Sequence, residues 1–308
     1  MKPIKIPETY NYIGIFFTFG CNLKCSYCIN RHEEGNFPKG IISGKEWVKA
    51  LNRIETISDI PITFQGGEPS THPDFMFIIN NLNESIPIDI LTNLEFDVDK
   101  FIATVNPQRL KRDAHYAPIR VSYHPEQQDI DKVAERMLKM HNAGFSIALY
   151  GVMHPSQKEE ILKAQKRCKE LGVDFRTKEF LGIHEGKLHG TYKYPNCCEN
   201  KQKKNVLCKT TELIIGPTGG VYRCHSDIYE NRKPIGNIFD ADFEIKDEFR
   251  PCSNYGHCNP CDVKVKTNRL QQFGHTSVEI KNPDGSKHET INVPEELKFV
   301  DLKNKNLY

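Results

Sequence analysis

Residues 12–28, Tyr12-Ile-Gly-Ile-Phe-Phe-Thr-Phe-Gly-Cys21-Asn-Leu-Lys-Cys25-Ser-Tyr-Cys28, run from an apolar stretch directly into three thiols. Tyr12–Phe19 is the longest apolar run of the chain, far short of the roughly 20 residues that span a bilayer. It reads as a buried strand. The loop from Cys21 to Cys28 is short enough to turn three sulfurs toward one face of a metal cluster. Three thiolates leave one corner of a four-iron cluster open to an outside ligand, whereas four close it. A zinc loop is the competing reading of the same spacing.

The surrounding chain has 308 residues, with 42 Lys and Arg against 40 Asp and Glu and a formal charge of +2. That balance argues against a general nucleic-acid or membrane-surface binder. The N-terminus, Met1-Lys-Pro-Ile-Lys-Ile-Pro, lacks the apolar core and small-residue cleavage site of a signal peptide, so a cytoplasmic protein is expected. In a reducing compartment clustered thiols bind metal or do redox chemistry more often than they pair. There are eleven cysteines; three lie at 21–28, Cys168 stands apart, and the rest fall between 197 and 261. Two metal sites fit that grouping better than disulfides.

The first 180 residues alternate apolar runs with amphipathic stretches, the mark of βα units around a parallel sheet. Strands are expected at Tyr12–Phe19, Pro61–Phe64, Ile88–Leu91, Ile119–Tyr123, Phe145–Val152 and Val173–Phe180. Trp47, Leu51 and Ile54 form a helical stripe behind Ser43, and Ile161, Ala164, Cys168 and Leu171 form another closed by Gly172. The fold class is α/β: a partial (β/α)6 TIM-like barrel over residues 1–185. A cysteine-rich unit follows over 186–265, with a β-hairpin of Thr211–Ile215 and Val221–Arg223. Residues 266–308 form an extension with a second expected hairpin, Ser277–Lys281 and Glu289–Val293, around Asn282-Pro-Asp-Gly285.

Cys21, Cys25 and Cys28, with Tyr27 before the third, resemble the cluster loop of radical S-adenosylmethionine (SAM) enzymes. One βα unit later, Gly66-Gly67-Glu68-Pro69 resembles that family's turn for the SAM amino group. The chemistry is consistent: glycines let backbone approach a ligand, and Glu68 offers an acceptor to an ammonium. The resemblance implies further SAM contacts at Thr92, Asn93, Ser122 and Met153. Gly151-Val-Met-His-Pro155 departs from the family's adenine motif, with Pro155 for a glycine and Lys158 for an acid. Arg176 and Lys178 read equally as carboxylate contacts or a solvated strand face.

Cys208, Gly219-x4-Cys224 and Cys258-x-x-Cys261 resemble the ligand set of the Twitch auxiliary-cluster domain, the shorter relative of SPASM; Cys252 is an alternative to one of the four. Tetrahedral zinc suits four cysteines as well. Cys197-Cys198 reads as a loop pair outside the ligand set. The resemblance implies two [4Fe-4S] clusters, SAM and a reductant such as flavodoxin or ferredoxin. It also implies an enzyme that oxidises, cross-links or epimerises a substrate through a 5′-deoxyadenosyl radical. A peptide or protein side chain is the favoured substrate. The alternatives are a small metabolite (sugar, aminocyclitol or nucleotide) and a non-catalytic metal scaffold or electron carrier.

Overall fold

The computed structural model describes residues 2–30, 41–56, 59–266 and 273–292. All six expected strands form: β1 (Tyr12–Phe16), β2 (Ile62–Gln65), β3 (Ile88–Thr92), β4 (Ile119–Tyr123), β5 (Ile147–Met153) and β6 (Phe175–Glu179). They lie side by side in chain order, each parallel to the next. Parallel neighbours need a crossover, and one helix fills each gap. These are α1 (Gly44–Leu51), α2 (Phe75–Asn81), α3 (Val98–Thr104), α4 (Ile130–Asn142) and α5 (Lys158–Glu170). The result is a partial, unclosed (β/α) barrel, with β6 left as an edge.

Local chemistry sets the helix ends. Ser43 and Glu46 form a reciprocal capping box on α1, worth about 1 kcal/mol for the serine cap. That helix stops at Leu51, and Ile54, expected on its stripe, pairs with Ile4 in a two-residue parallel bridge. Gly144 and Gly172 take positive φ just past α4 and α5, the conformation that ends helices cheaply.

Strand alternation then sorts the side chains. Ile13, Ile15, Ile62, Phe64, Ile90 and Val121 pack toward the helices in one continuous core. Their neighbours Tyr12, Gln65, Asp89, Arg120, Tyr150 and Lys178 take the inner, concave face. There Asp89, fully buried, holds Arg112 at 2.5 Å and Arg120 at 3.2 Å.

The later chain enters the same sheet. With β7 (Lys204–Thr210) outside it, β8 (Glu212–Ile215) and β9 (Gly220–Tyr222) form the expected hairpin, but β8 also runs parallel to β1. With β10 (Gly236–Asn237) the sheet reaches nine strands, so it crosses the boundary expected near residue 185. Arg53, 8% exposed, clasps this junction by donating to the carbonyls of Lys2, Ile238, Asp240 and Ala241. Separately, β7 pairs antiparallel with both β11 (Arg250–Tyr255) and β12 (Val278–Lys281) over a second small core.

The tail hairpin is a correction. Its turn exists, with Gly285 N–H donating to Asn282, but only Lys281 and Lys287 bridge across it. Residues 289–292 are exposed and form no strand, and Val293 lies outside the described residues. Ile291, the apolar residue of that stretch within the described residues, stays exposed, while Val278–Lys281 pairs with β7.

Candidate active site and the two thiol sites

The N-terminal thiol loop leaves the C-terminal end of β1. The Gly66-Gly67 turn packs directly on the residues before it: Gly67 N–H donates to Thr18 and Glu68 N–H to Gly20. Gly66 has φ of +138°, and a Cβ there would lie 2.3 Å from the Thr18 carbonyl oxygen. A Cβ on Gly67 would lie 2.1 Å from that of Gly20. Both contacts are to backbone, so only glycine fits.

Glu68 differs from expectation. Its carboxylate is 1% exposed and accepts from Ser70 N–H at 3.1 Å, Ser70 Oγ at 2.6 Å, Thr92 Oγ1 at 2.8 Å and Asn93 N–H at 2.7 Å. Burial raises its pKa while these hydrogen bonds oppose the rise. Glu68 therefore organises the turn rather than presenting a free acceptor. Thr92 and Asn93, also buried, are its partners. Asn93 Nδ2 continues outward to Asn22 Oδ1 at 2.6 Å and the Cys21 sulfur at 3.7 Å. Turn, third strand end and thiol loop thus form one hydrogen-bonded unit.

The thiol loop is held from outside as well. Glu126 accepts from Ser26 N–H at 2.7 Å, Gln127 from Lys24 N–H at 2.7 Å, and the Glu95 carbonyl from Asn22 at 3.2 Å. Tyr27 stacks on His154 at 5.1 Å and meets His124 Nδ1 at 2.9 Å. Burial pushes His124 down to about 4, so it is neutral at pH 7. Burial, then the Cys28 thiol, pushes Cys25 up to about 12, so binding a metal cluster there must release a proton. The two histidines and Glu126 were not singled out from sequence; the only signal was the His-Pro pairs at 124–125 and 154–155 that end β4 and β5.

Ser122 sits half-buried on the inner face, and Met153 does not. In β5, Met153 shares the helix-side phase of Ile147, Leu149 and Gly151 and packs against the main core. Val152, in register with Lys178, takes the inner position.

Four of the C-terminal thiols converge in an enclosed cavity beside β7 and β11. Cys208, Cys224, Cys252 and Cys258 line it, with Arg223, Arg232 and Arg250 nearby; Cys261 does not. Arg250, Cys252 and Asn254, two residues apart on β11, all face the cavity. The Cys208 thiol donates to the Cys252 sulfur, which with Arg223 brings Cys252 down to about 6 against its burial. Asp262, 1% exposed, accepts from His225 N–H (2.9 Å), His225 Nδ1 (2.9 Å) and Ser226 N–H (3.0 Å). It thereby ties α6 (His225–Tyr229), which starts right after Cys224, to the helical turn α7 (Pro260–Val263). Cys261 lies in that turn, half-buried. Cys197 and Cys198 are buried in the second core. Among the described residues no three His, Cys, Asp or Glu side chains close on a point a single ion can occupy. None of the described helices is long and apolar enough to cross a membrane.

The profile of the radical SAM superfamily matches residues 15–186, which contain the end of β1, the thiol loop, the Gly-Gly-Glu-Pro turn and the other five barrel strands. The chain belongs to that superfamily, and it is an enzyme. Among curated proteins it is 32% identical over 82 residues to a probable GTP 3′,8-cyclase of Methanopyrus kandleri, spanning 26% of each. A GTP 3′,8-cyclase of Clostridium perfringens is 24% identical over 230 residues, 69% of each chain. Among solved structures, Streptococcus suis SuiB bound to precursor peptide SuiA superposes with a TM-score of 0.53 at 14% identity. That match covers 79% of this chain and 64% of SuiB, and it is a likeness of fold.

Proposed function

We propose that this enzyme cleaves SAM reductively to start radical chemistry on a substrate held at the concave face of the barrel. A [4Fe-4S] cluster on Cys21, Cys25 and Cys28 supplies, when bound, the electron that splits SAM into methionine and a 5′-deoxyadenosyl radical, which takes hydrogen from a substrate C–H bond. The observation that carries this reading is the hydrogen-bonded unit of Gly67, Glu68, Asn93 and the Cys21 sulfur. The chain's own share is positioning. Gly66–Pro69 brings backbone against the ligand, Thr92 and Asn93 fix that turn through Glu68, and Ser122 offers a hydroxyl on the inner wall. Tyr27, clamped by His124 and His154, walls the loop against water.

Cys208, Cys224, Cys252 and Cys258 would hold a second cluster, which would supply electron transfer between a flavodoxin- or ferredoxin-type reductant and the substrate; their shared cavity, lined also by Arg223, Arg232 and Arg250, supports that reading. A peptide or protein side chain is the first reading of the substrate, to be oxidised, cross-linked or epimerised. A small metabolite such as a nucleotide is the second, favoured by the cyclase relatives.

Anaerobically reconstituted protein with dithionite tests the proposal: 5′-deoxyadenosine and methionine are expected from wild type and only background from Cys21→Ala. Substrate-stimulated release with peptides and not nucleotides selects the first reading; the reverse selects the second.

A further inference from the structure

The inner face of the barrel has an uneven charge account. Arg120 is met by Asp89 at 3.2 Å, Arg176 by Asp174 at 2.8 Å, Lys264 by Glu179 at 2.7 Å, and Lys266 by Glu212 at 2.6 Å. Lys178 stands among these cations and, within the described residues, has no carboxylate in ion-pair range. Its Nζ lies 4.7 Å over the Tyr150 ring, on the strand next to its own. Its side chain is exposed and stands on the face of β6 opposite the core residue Phe175, the inner side of the sheet.

We propose that Lys178 is the anchor for an anionic group on the substrate, a carboxylate or a phosphate, which fixes the rest of the molecule beneath the thiol loop. The inference rests on the barrel-bound substrate proposed above and names its charge. Desolvation, then the like charges of Arg120 and Lys264, brings Lys178 down to about 7 in the unliganded chain. An arriving anion relieves that repulsion and is recognised by a charge-assisted hydrogen bond. Tyr150 holds the ammonium in place meanwhile through its ring face.

The test acylates the holoprotein at pH 7 with N-hydroxysuccinimidyl acetate and reads each lysine by mass spectrometry. Inorganic pyrophosphate and glutarate serve as probes, against chloride of equal ionic strength. Lys178 is expected to react at least tenfold faster than the helix-surface Lys163, and to slow at least fivefold with one of the probes. The stronger protectant tells phosphate from carboxylate. Protection no greater than with chloride overturns the anchor.

A second measurement compares thermal shifts. The same probe is expected to raise the melting temperature of wild type and Lys178→Arg, and to lose that effect in Lys178→Met. An equal shift in Lys178→Met overturns the proposal. Wild-type protein that protects Lys178 but releases no 5′-deoxyadenosine sinks the catalytic reading and not the anchor.

Discussion

The two thiol sites are built on opposite principles. At the N-terminus three cysteines share one loop, and the chain itself is the ruler between them. At the C-terminus four cysteines come from β7, the end of the β8–β9 hairpin, β11 and the turn before α7, and strand pairing is the ruler. Each site is organised by a buried carboxylate: Glu68 draws in Ser70, Thr92 and Asn93, and Asp262 draws in His225 and Ser226. A spacing rule suits the first kind of site, where the chain sets the distances, better than the second, where strand pairing does.

The largest expected effect separates the two sites outright. Replacing Cys21, Cys25 and Cys28 by alanine should take 5′-deoxyadenosine release to background while leaving about four irons in the C-terminal site. Loss of all iron would mean that the sites are not independent.

Next comes Asp262→Ala. It strands a fully enclosed imidazole and two helix N–H groups, at a cost of about 3–5 kcal/mol. Denaturant unfolding should register that loss, and iron analysis should show the C-terminal site emptied with the N-terminal one retained. The mirror variant, Glu68→Ala, frees four donors at a cost of about 2–4 kcal/mol and should weaken SAM binding at least tenfold with the C-terminal iron intact. If either carboxylate variant empties both sites equally, the comparison fails.

The smallest effect is a pH dependence shared by both regions. Burial depresses His124, beside the thiol loop, and His275, beside β8, to about 4 each. The unfolded histidines take up protons near pH 6.5 while the folded ones resist. Stability should therefore decline as pH falls from about 6.5 toward 4, with no contribution from this pair above that range. Urea titrations across pH 4–8 should show the decline flatten in a His124→Gln, His275→Gln double variant.

The barrel was legible because apolar runs alternate with amphipathic helices, marked by caps such as Ser43 and Asp129 and by the glycine stops Gly144 and Gly172. What was not legible depends on phase and on distant partners. Met153 was placed at the site by its position in a motif, but strand alternation turns it to the helices and gives Val152 the inner face. Glu68 carries the charge expected of a ligand, yet its donors lie on Ser70 and at the end of β3, and they occupy it. The tail hairpin had a sound turn, but its first strand, Val278–Lys281, is paired with β7, a partner distant in sequence. Cys261 has the expected spacing from Cys258 but is not among the residues that line the cavity, whereas Cys252, on β11, lines it with Cys208, Cys224 and Cys258.

That exchange is the central claim, and one measurement addresses it directly: iron and sulfide content of anaerobically reconstituted Cys252→Ala and Cys261→Ala, beside wild type. The account predicts about eight irons in wild type and in Cys261→Ala, and about four in Cys252→Ala. Four irons in Cys261→Ala with eight in Cys252→Ala would contradict it.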